Sequence, residues 1–159
     1  MNIIFLDIDG VLNSYAYHKE TGNDLNLKSV DILSQIYHKF NCKIVLSSTW
    51  RELKDIYEES AQKMWKHLVD TLSKYNMEIY DITPTIKNNR PLEIATWLQN
   101  NSCSNYVILD DDFQLLEYKK YGLEKHVVKT IYFTYEIENG GLQEKHKDKA
   151  FKILSSNIL

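Results

Sequence analysis

This chain has few of the residues that break, staple or bend a protein. Its 159 residues include two cysteines, two prolines and five glycines. Cys42 and Cys103 are too few and too far apart for a CxxC metal site or a disulfide framework. Each is expected as a reduced thiol near the start of a strand, because free cysteine behaves as a small buried hydrophobe. No apolar stretch approaches the ~20 residues needed to cross a bilayer. The first residues run straight into an apolar segment with no basic stretch ahead of it, so no secretory signal is expected and the default location is cytoplasmic. Neither sign of charge dominates. A net charge of -3 argues against a generally basic surface for nucleic acid. The five histidines (His18, His38, His67, His126, His146) share no spacing and are read as surface or packing residues. Repeats, low-complexity tracts and dividing linkers are also missing. Residues 1–159 are therefore expected to form one domain, with the 43% hydrophobic and 26% charged composition of an ordinary globular protein.

What is present is an alternation of strand-like and helix-like segments, the pattern of a βα-repeating sheet. Ile3-Ile4-Phe5-Leu6, Lys43-Ile44-Val45-Leu46 and Tyr106-Val107-Ile108-Leu109 are short apolar runs suited to strands buried on both faces. Between the first two, apolar residues recur at helical spacing from Leu27 to Phe40, with Asn26 as N-cap. Leu53 to Tyr75 reads as a long amphipathic helix or two joined ones, its Met and aromatic residues facing the core. Met77 to Ile82 is expected as a short strand. Pro91 suits the first position of a helix through Leu98, and another through Leu115, Leu116 and Tyr118 stops near Gly122. Val127 to Tyr135 is expected to supply one or two strands, followed by an Asn139-Gly140-Gly141 turn and a helix to about Leu154. The expected class is α/β: a single Rossmann-like, doubly wound, mainly parallel sheet flanked by helices.

Each of the three buried runs ends in residues with chemical use: Asp7 and Asp9, Ser47 and Ser48, Asp110 to Asp112. In a parallel sheet these ends share one edge, where ligands bind. Two acids one residue apart are costly to bury without a cation. Carboxylates from two strands suit Mg²⁺, which prefers oxygen ligands and keeps waters. A phosphate would complete that coordination, held by a serine hydroxyl and a balancing cation. Arg90, just before Pro91, is the leading cation and Lys87 the second. Trp50 and Arg51 suit either a substrate contact, with the indole stacking on a base or sugar, or packing on the sheet.

DIDGVLN resembles motif I (DxDGxxx) of the haloacid dehalogenase (HAD) superfamily. VLSSTW resembles its motif II and VILDDD its acidic motif IV, in the same chain order. More narrowly, SSTWR, RPLEIATWL and LDDD resemble a compact HAD-domain family grouped with RNA-repair proteins. The likeness runs from Asp7 to about Asp112. It implies a Mg²⁺-dependent phosphomonoester hydrolase in which Asp7 is the nucleophile, forming an aspartyl-phosphate, and also a metal ligand. Asp9 would act as acid and then base, its backbone carbonyl assisting at the metal. An acid there favours a phosphatase over a transport ATPase. Ser48 would hold the phosphoryl group, with Ser47 one register step away. Arg90 would take the motif III position, Asp110 would be the second carboxylate on Mg²⁺, and Asp111 would support it through water. Asp112 is expected to cap the following helix. The segments between motifs are too short for a large cap domain, and lidless relatives often act on macromolecular ends. The expected partner is a phosphorylated substrate; nucleic acid enters only as substrate, and no membrane is involved. The alternative is a non-catalytic Mg²⁺- or phosphate-binding module that retains the HAD fold.

Overall fold

Side chains alternate between two buried faces along the central strands, and this alternation organises the molecule. In the computed structural model, which describes residues 1–156, strand β1 (Asn2–Leu6) lies at the middle of a five-stranded sheet. Helices α1 (Tyr15–Thr21) and α2 (Leu27–Lys39) lead to β2 (Cys42–Leu46). A 3₁₀ segment (Thr49–Asp55) and α3 (Glu59–Lys74) lead to β3 (Ile79–Ile82). Then follow α4 (Arg90–Asn100), β4 (Asn105–Asp110), α5 (Leu115–Lys119), β5 (Val127–Lys129) and α6 (Glu144–Ser155). All pairings are parallel, and the strand order is β3-β2-β1-β4-β5. The expected α/β class is what the chain adopts.

Ile4, Leu6, Ile44, Leu46, Val107 and Leu109 point to one face, which α2, α3 and α6 cover through residues such as Leu33, Leu68 and Ile153. Ile3, Phe5, Val45 and Ile108 point to the other, under Ile94 and Trp97 of α4 and Tyr118 of α5. Burying each such large apolar side chain contributes about 1.5–3 kcal/mol. Covering both faces explains why these strands read as unbroken apolar runs.

Three elements differ from the sequence reading. Residues 49–55 form a 3₁₀ segment, and α3 begins only at Glu59. The apolar run from Val127 continues the sheet for three residues only, and Thr130 to Tyr135 form a loop. The short helix α1 is additional. Ser14 caps it by accepting from Tyr17 N at 3.2 Å, but only Ala16 is buried, so it shows no apolar periodicity. Arg90 opens α4 with Asn89 as N-cap, so Pro91 takes the second position. Among the described residues no helix is long and apolar enough to cross a membrane.

The hydrogen-bond ladder runs one step past the strand ends. Asp7 N donates to Leu109 O, Ser47 N to Leu6 O, Thr83 N to Leu46 O and Thr130 N to Asp110 O. Asp7, Ser47 and Asp110 thus sit side by side at the carboxyl edge, beside the β1/β4 point where strand order reverses.

Candidate active site

The turn after β1 is built around Gly10, whose φ of 82° lies in the left-handed region. A Cβ at that position would also collide with the Asp111 carboxyl group. Gly10 N donates to Asn13 Oδ1 at 2.9 Å, and Asn13 Nδ2 donates to Asp9 Oδ1 and to Asp24 O, both at 2.9 Å. The second Asp9 oxygen accepts from Trp50 Nε1 at 3.1 Å. Asp9 is therefore exposed at the mouth of the site while both carboxyl oxygens are tethered.

Asp7 and Asp110, in contrast, are buried. Asp7 Oδ1 accepts from Ile8 N at 2.8 Å and Oδ2 from Arg90 Nη1 at 2.8 Å. The same Nη1 also donates to Asp110 Oδ1. Asp110 Oδ2 takes Phe113 N at 3.0 Å and the Tyr118 hydroxyl at 2.9 Å, and Lys129 Nζ lies 3.9 Å away. Arg90 lies over the Phe113 ring, 5.3 Å from its centroid. One oxygen from each of Asp7, Asp110 and Asp111 falls within 4.8 Å of the others.

The electrostatics follow from this crowding. Burial pushes the Asp7 carboxyl well above the usual range; Arg90 opposes the shift, and Asp110 and Asp111 add to it. Asp111 is pushed up to about 6, chiefly by burial. Burial also works against the Arg90 cation, but Asp7 and Asp110 outweigh it and keep it charged. Three carboxylates share the Arg90 guanidinium, which bonds two of them, and the Lys129 ammonium 3.9 Å from Asp110. An all-oxygen, net-negative donor set of this kind fits a hard divalent cation such as Mg²⁺.

A family model described as the HAD domain in Swiss Army Knife RNA repair proteins matches residues 3–135. The chain belongs to this HAD-domain family. No curated protein and no solved structure matches it. The matched span takes in Asp7, Asp9, Ser47, Ser48, Arg90, Asp110 and Asp111.

Within the HAD domain, Asp7, Arg90, Asp110 and Asp111 meet as one cluster. The Asp9 side chain lies outside the carboxylate triad, turned to Asn13 and Trp50. Asp111, expected to act through water, brings one carboxyl oxygen within 4.8 Å of those of Asp7 and Asp110. Ser48 Oγ is engaged locally, accepting from Trp50 N at 3.2 Å as the cap of the 3₁₀ segment. Ser47 is fully buried beside Asp7, and its hydroxyl has no partner among the described residues. Lys87 is exposed and makes no contact with the cluster, whereas Arg90 reaches two of its acids. Asp112 does not cap α5: Gln114 does, and Asp112 N instead donates to Asp110 Oδ1 at 3.3 Å.

Arg51 is buried and held by three partners, bonding Glu93 Oε2 and Thr85 Oγ1 at 3.1 Å and Ser48 O at 3.2 Å. Of its two sequence readings, the packing one describes its place. Sequence reasoning missed Asn13, Tyr118 and the Trp50–Asp9 bond. Asn13 stands at a fixed offset after Asp9 and was the one legible signal. Tyr118 lies on an apolar helix face and carries no mark of its hydroxyl's task.

Proposed function

We propose that this HAD domain is a Mg²⁺-dependent phosphomonoester hydrolase acting through an aspartyl-phosphate on Asp7. The carrying observation is the separation of duties between two acids two residues apart. Asp7 is buried in the triad against Arg90, while Asp9 is exposed and held by two neutral donors. Mg²⁺ on the triad would neutralise phosphate charge and orient the group. Asp7 attacks phosphorus, the ester P–O bond breaks, and Asp9 gives its proton to the departing oxygen. Asp9 then takes a proton from the water that attacks the phosphorus of the aspartyl-phosphate, which returns Asp7 as carboxylate and releases phosphate. Each Asp9 oxygen accepts one tether, leaving a second lone pair for the shuttled proton. Ser47 Oγ, buried beside Asp7 without a partner, and the remaining N–H groups of Arg90 are the donors for the phosphoryl oxygens. The matched family's name refers to RNA repair, which supports a phosphorylated nucleic-acid end as the substrate class. The free thiols Cys42 and Cys103 fit a reducing cytoplasmic setting.

Phosphate release from an aryl phosphate tests this reading. Release should require Mg²⁺ and stop on chelation, and Asp7→Asn should reduce it to background with unchanged circular dichroism. An Asp7→Asn protein that turned over at the unsubstituted rate would refute the reading. Metal binding with no turnover across a broad phosphate panel would make the domain a binding module.

A further inference from the structure

The loop after β5 displays aromatic side chains that the proposed chemistry leaves unused. Phe133 is 76% exposed and Tyr15, at the start of α1, is 42% exposed. Their ring centroids lie 5.6 Å apart, and Tyr132 packs edge-on against Phe133 at 4.9 Å. Rings gathered for the core would be covered; these face water as one connected surface.

Their loop is tethered at three successive residues, the first of them to the catalytic edge. Thr130 N donates to Asp110 O and its hydroxyl to Gly10 O, Gly141 N donates to Ile131 O, and Tyr15 N donates to Tyr132 O. The rings are therefore presented by a tethered loop that begins beside Gly10 and Asp110. After burial, the charges of Asp9 and Asp111 push the Tyr132 phenol up, as expected for a ring within electrostatic reach of the site. Lys19 Nζ lies 5.9 Å from the centre of the Tyr15 ring, placing a cation along the same wall. Beyond it, Tyr15, Lys19, Glu20 and Tyr135 line a cleft of about 350 Å³, within the size range of small-ligand pockets, in which Lys19 is the cationic side and Glu20 the anionic one.

We propose that Tyr15, Tyr132 and Phe133 form a stacking platform for a nucleobase attached to the sugar that carries the scissile phosphate. The substrate is then a nucleotide or the phosphorylated end of single-stranded nucleic acid. Exposed rings beside a phosphate site supply what a base requires, a flat π face close to its phosphate, and Lys19 complements a neighbouring phosphodiester. This inference rests on the hydrolase reading and gives it the residues that would hold the substrate's base.

Equilibrium binding to the Asp7→Asn protein in Mg²⁺, by titration calorimetry, separates the two ideas because it needs no turnover. The probes are 5′-AMP, 3′-AMP, oligoadenylates phosphorylated at either end, and ribose 5-phosphate. At least one adenosine ligand should bind about tenfold or more tightly than ribose 5-phosphate, the scale of one base–aromatic stack. Adding Phe133→Ala or Tyr15→Ala should remove that advantage, and Phe133→Trp should retain it. Phe133 is largely exposed, so these substitutions should leave the fold intact. Tighter binding of an oligonucleotide than of AMP identifies a nucleic-acid end as the ligand, and equal binding identifies a free nucleotide. Equal affinity for adenosine ligands and ribose 5-phosphate, with aryl phosphate turnover intact in the unsubstituted protein, overturns the platform and leaves the hydrolase standing. No binding of any probe, together with no turnover, overturns both.

Discussion

Ser48 Oγ accepts a hydrogen bond from Trp50 N, while Ser47 Oγ, one residue earlier and fully buried, accepts none. A buried hydroxyl without a partner costs about 1–3 kcal/mol. Ser47→Ala should therefore leave the melting temperature unchanged or raised, yet lower kcat by ~10²-fold, the usual scale for losing one donor to a transferring group. Ser48→Ala should cost about 1 kcal/mol of stability through the lost cap and affect turnover less. Thermal unfolding and steady-state kinetics on both variants check this, and the reverse pattern would give the phosphate to Ser48. The sequence favoured Ser48 because motif alignment tolerates a one-residue shift. The register Leu6↔Leu46 is what puts Ser47 beside Asp7. Asp7, Asp9, Asp110 and Arg90 could be picked out because each charge follows a buried strand or directly precedes a proline in the first turn of a helix. The Trp50–Asp9 bond and the task of Tyr118 could not, since both depend on which acceptor the folded chain brings within hydrogen-bond reach.

Helix α6 is tied at its start by a histidine: Gln143 N donates to His146 Nδ1 at 2.8 Å. An acceptor nitrogen must be unprotonated. Burial, then Lys145 and Lys149, lower His146 from 6.5 to about 4. The unfolded chain thus takes up a proton near pH 6.5, whereas the folded chain resists until about 4. Stability from this residue is complete above pH 6.5 and is lost as pH falls from there to 4. His146→Gln keeps an acceptor at the same helix position. Urea unfolding at pH 7.5, 6 and 5 should show the unsubstituted protein losing stability relative to His146→Gln, by ~1 kcal/mol, about the worth of a helix cap. Parallel pH dependence in the two proteins would refute the role. Legibility among the elements followed periodicity. The three buried strands and α2 announced themselves through runs and spacing. Ile131 to Tyr135 resembled a strand because its residues are apolar and aromatic, but its backbone bonds go to Gly141 and Tyr15 instead of a ladder partner. The 3₁₀ segment carries apolar residues that the eye extends into α3.

Arg51 and Glu93 join the motif II turn to α4 through a buried ion pair at 3.1 Å, and Glu93 Oε1 also accepts from Ile86 N at 2.8 Å. This pair fixes the loop that delivers Arg90, so it sets how distant parts of the molecule meet at the site. Glu93→Ala strands a buried guanidinium and should cost about 3–5 kcal/mol. Replacing both residues, as Arg51→Met with Glu93→Leu, should recover much of that loss. Denaturant unfolding of the single and double variants measures the coupling, and additive losses would show that the two residues act separately. The parallel α/β plan was legible because alternating segments and polar strand ends leave few other arrangements; this ion pair was not, because its partners lie in different motifs with no shared pattern. The central place of β1 has a further consequence, for biogenesis. Asn2 pairs with Asn105 and Leu6 with Leu109, so β1 is made well before β4 and waits for it before its second edge is covered. Until then Ile3-Ile4-Phe5-Leu6 is an unsealed apolar ribbon, and Asp7 beside it has neither Asp110 nor Arg90 as a neighbour. Long-range parallel pairing of this kind folds slowly and leaves sticky edges exposed on the way. A chain arrested before β4 would therefore lack the assembled acidic cluster and be prone to aggregate.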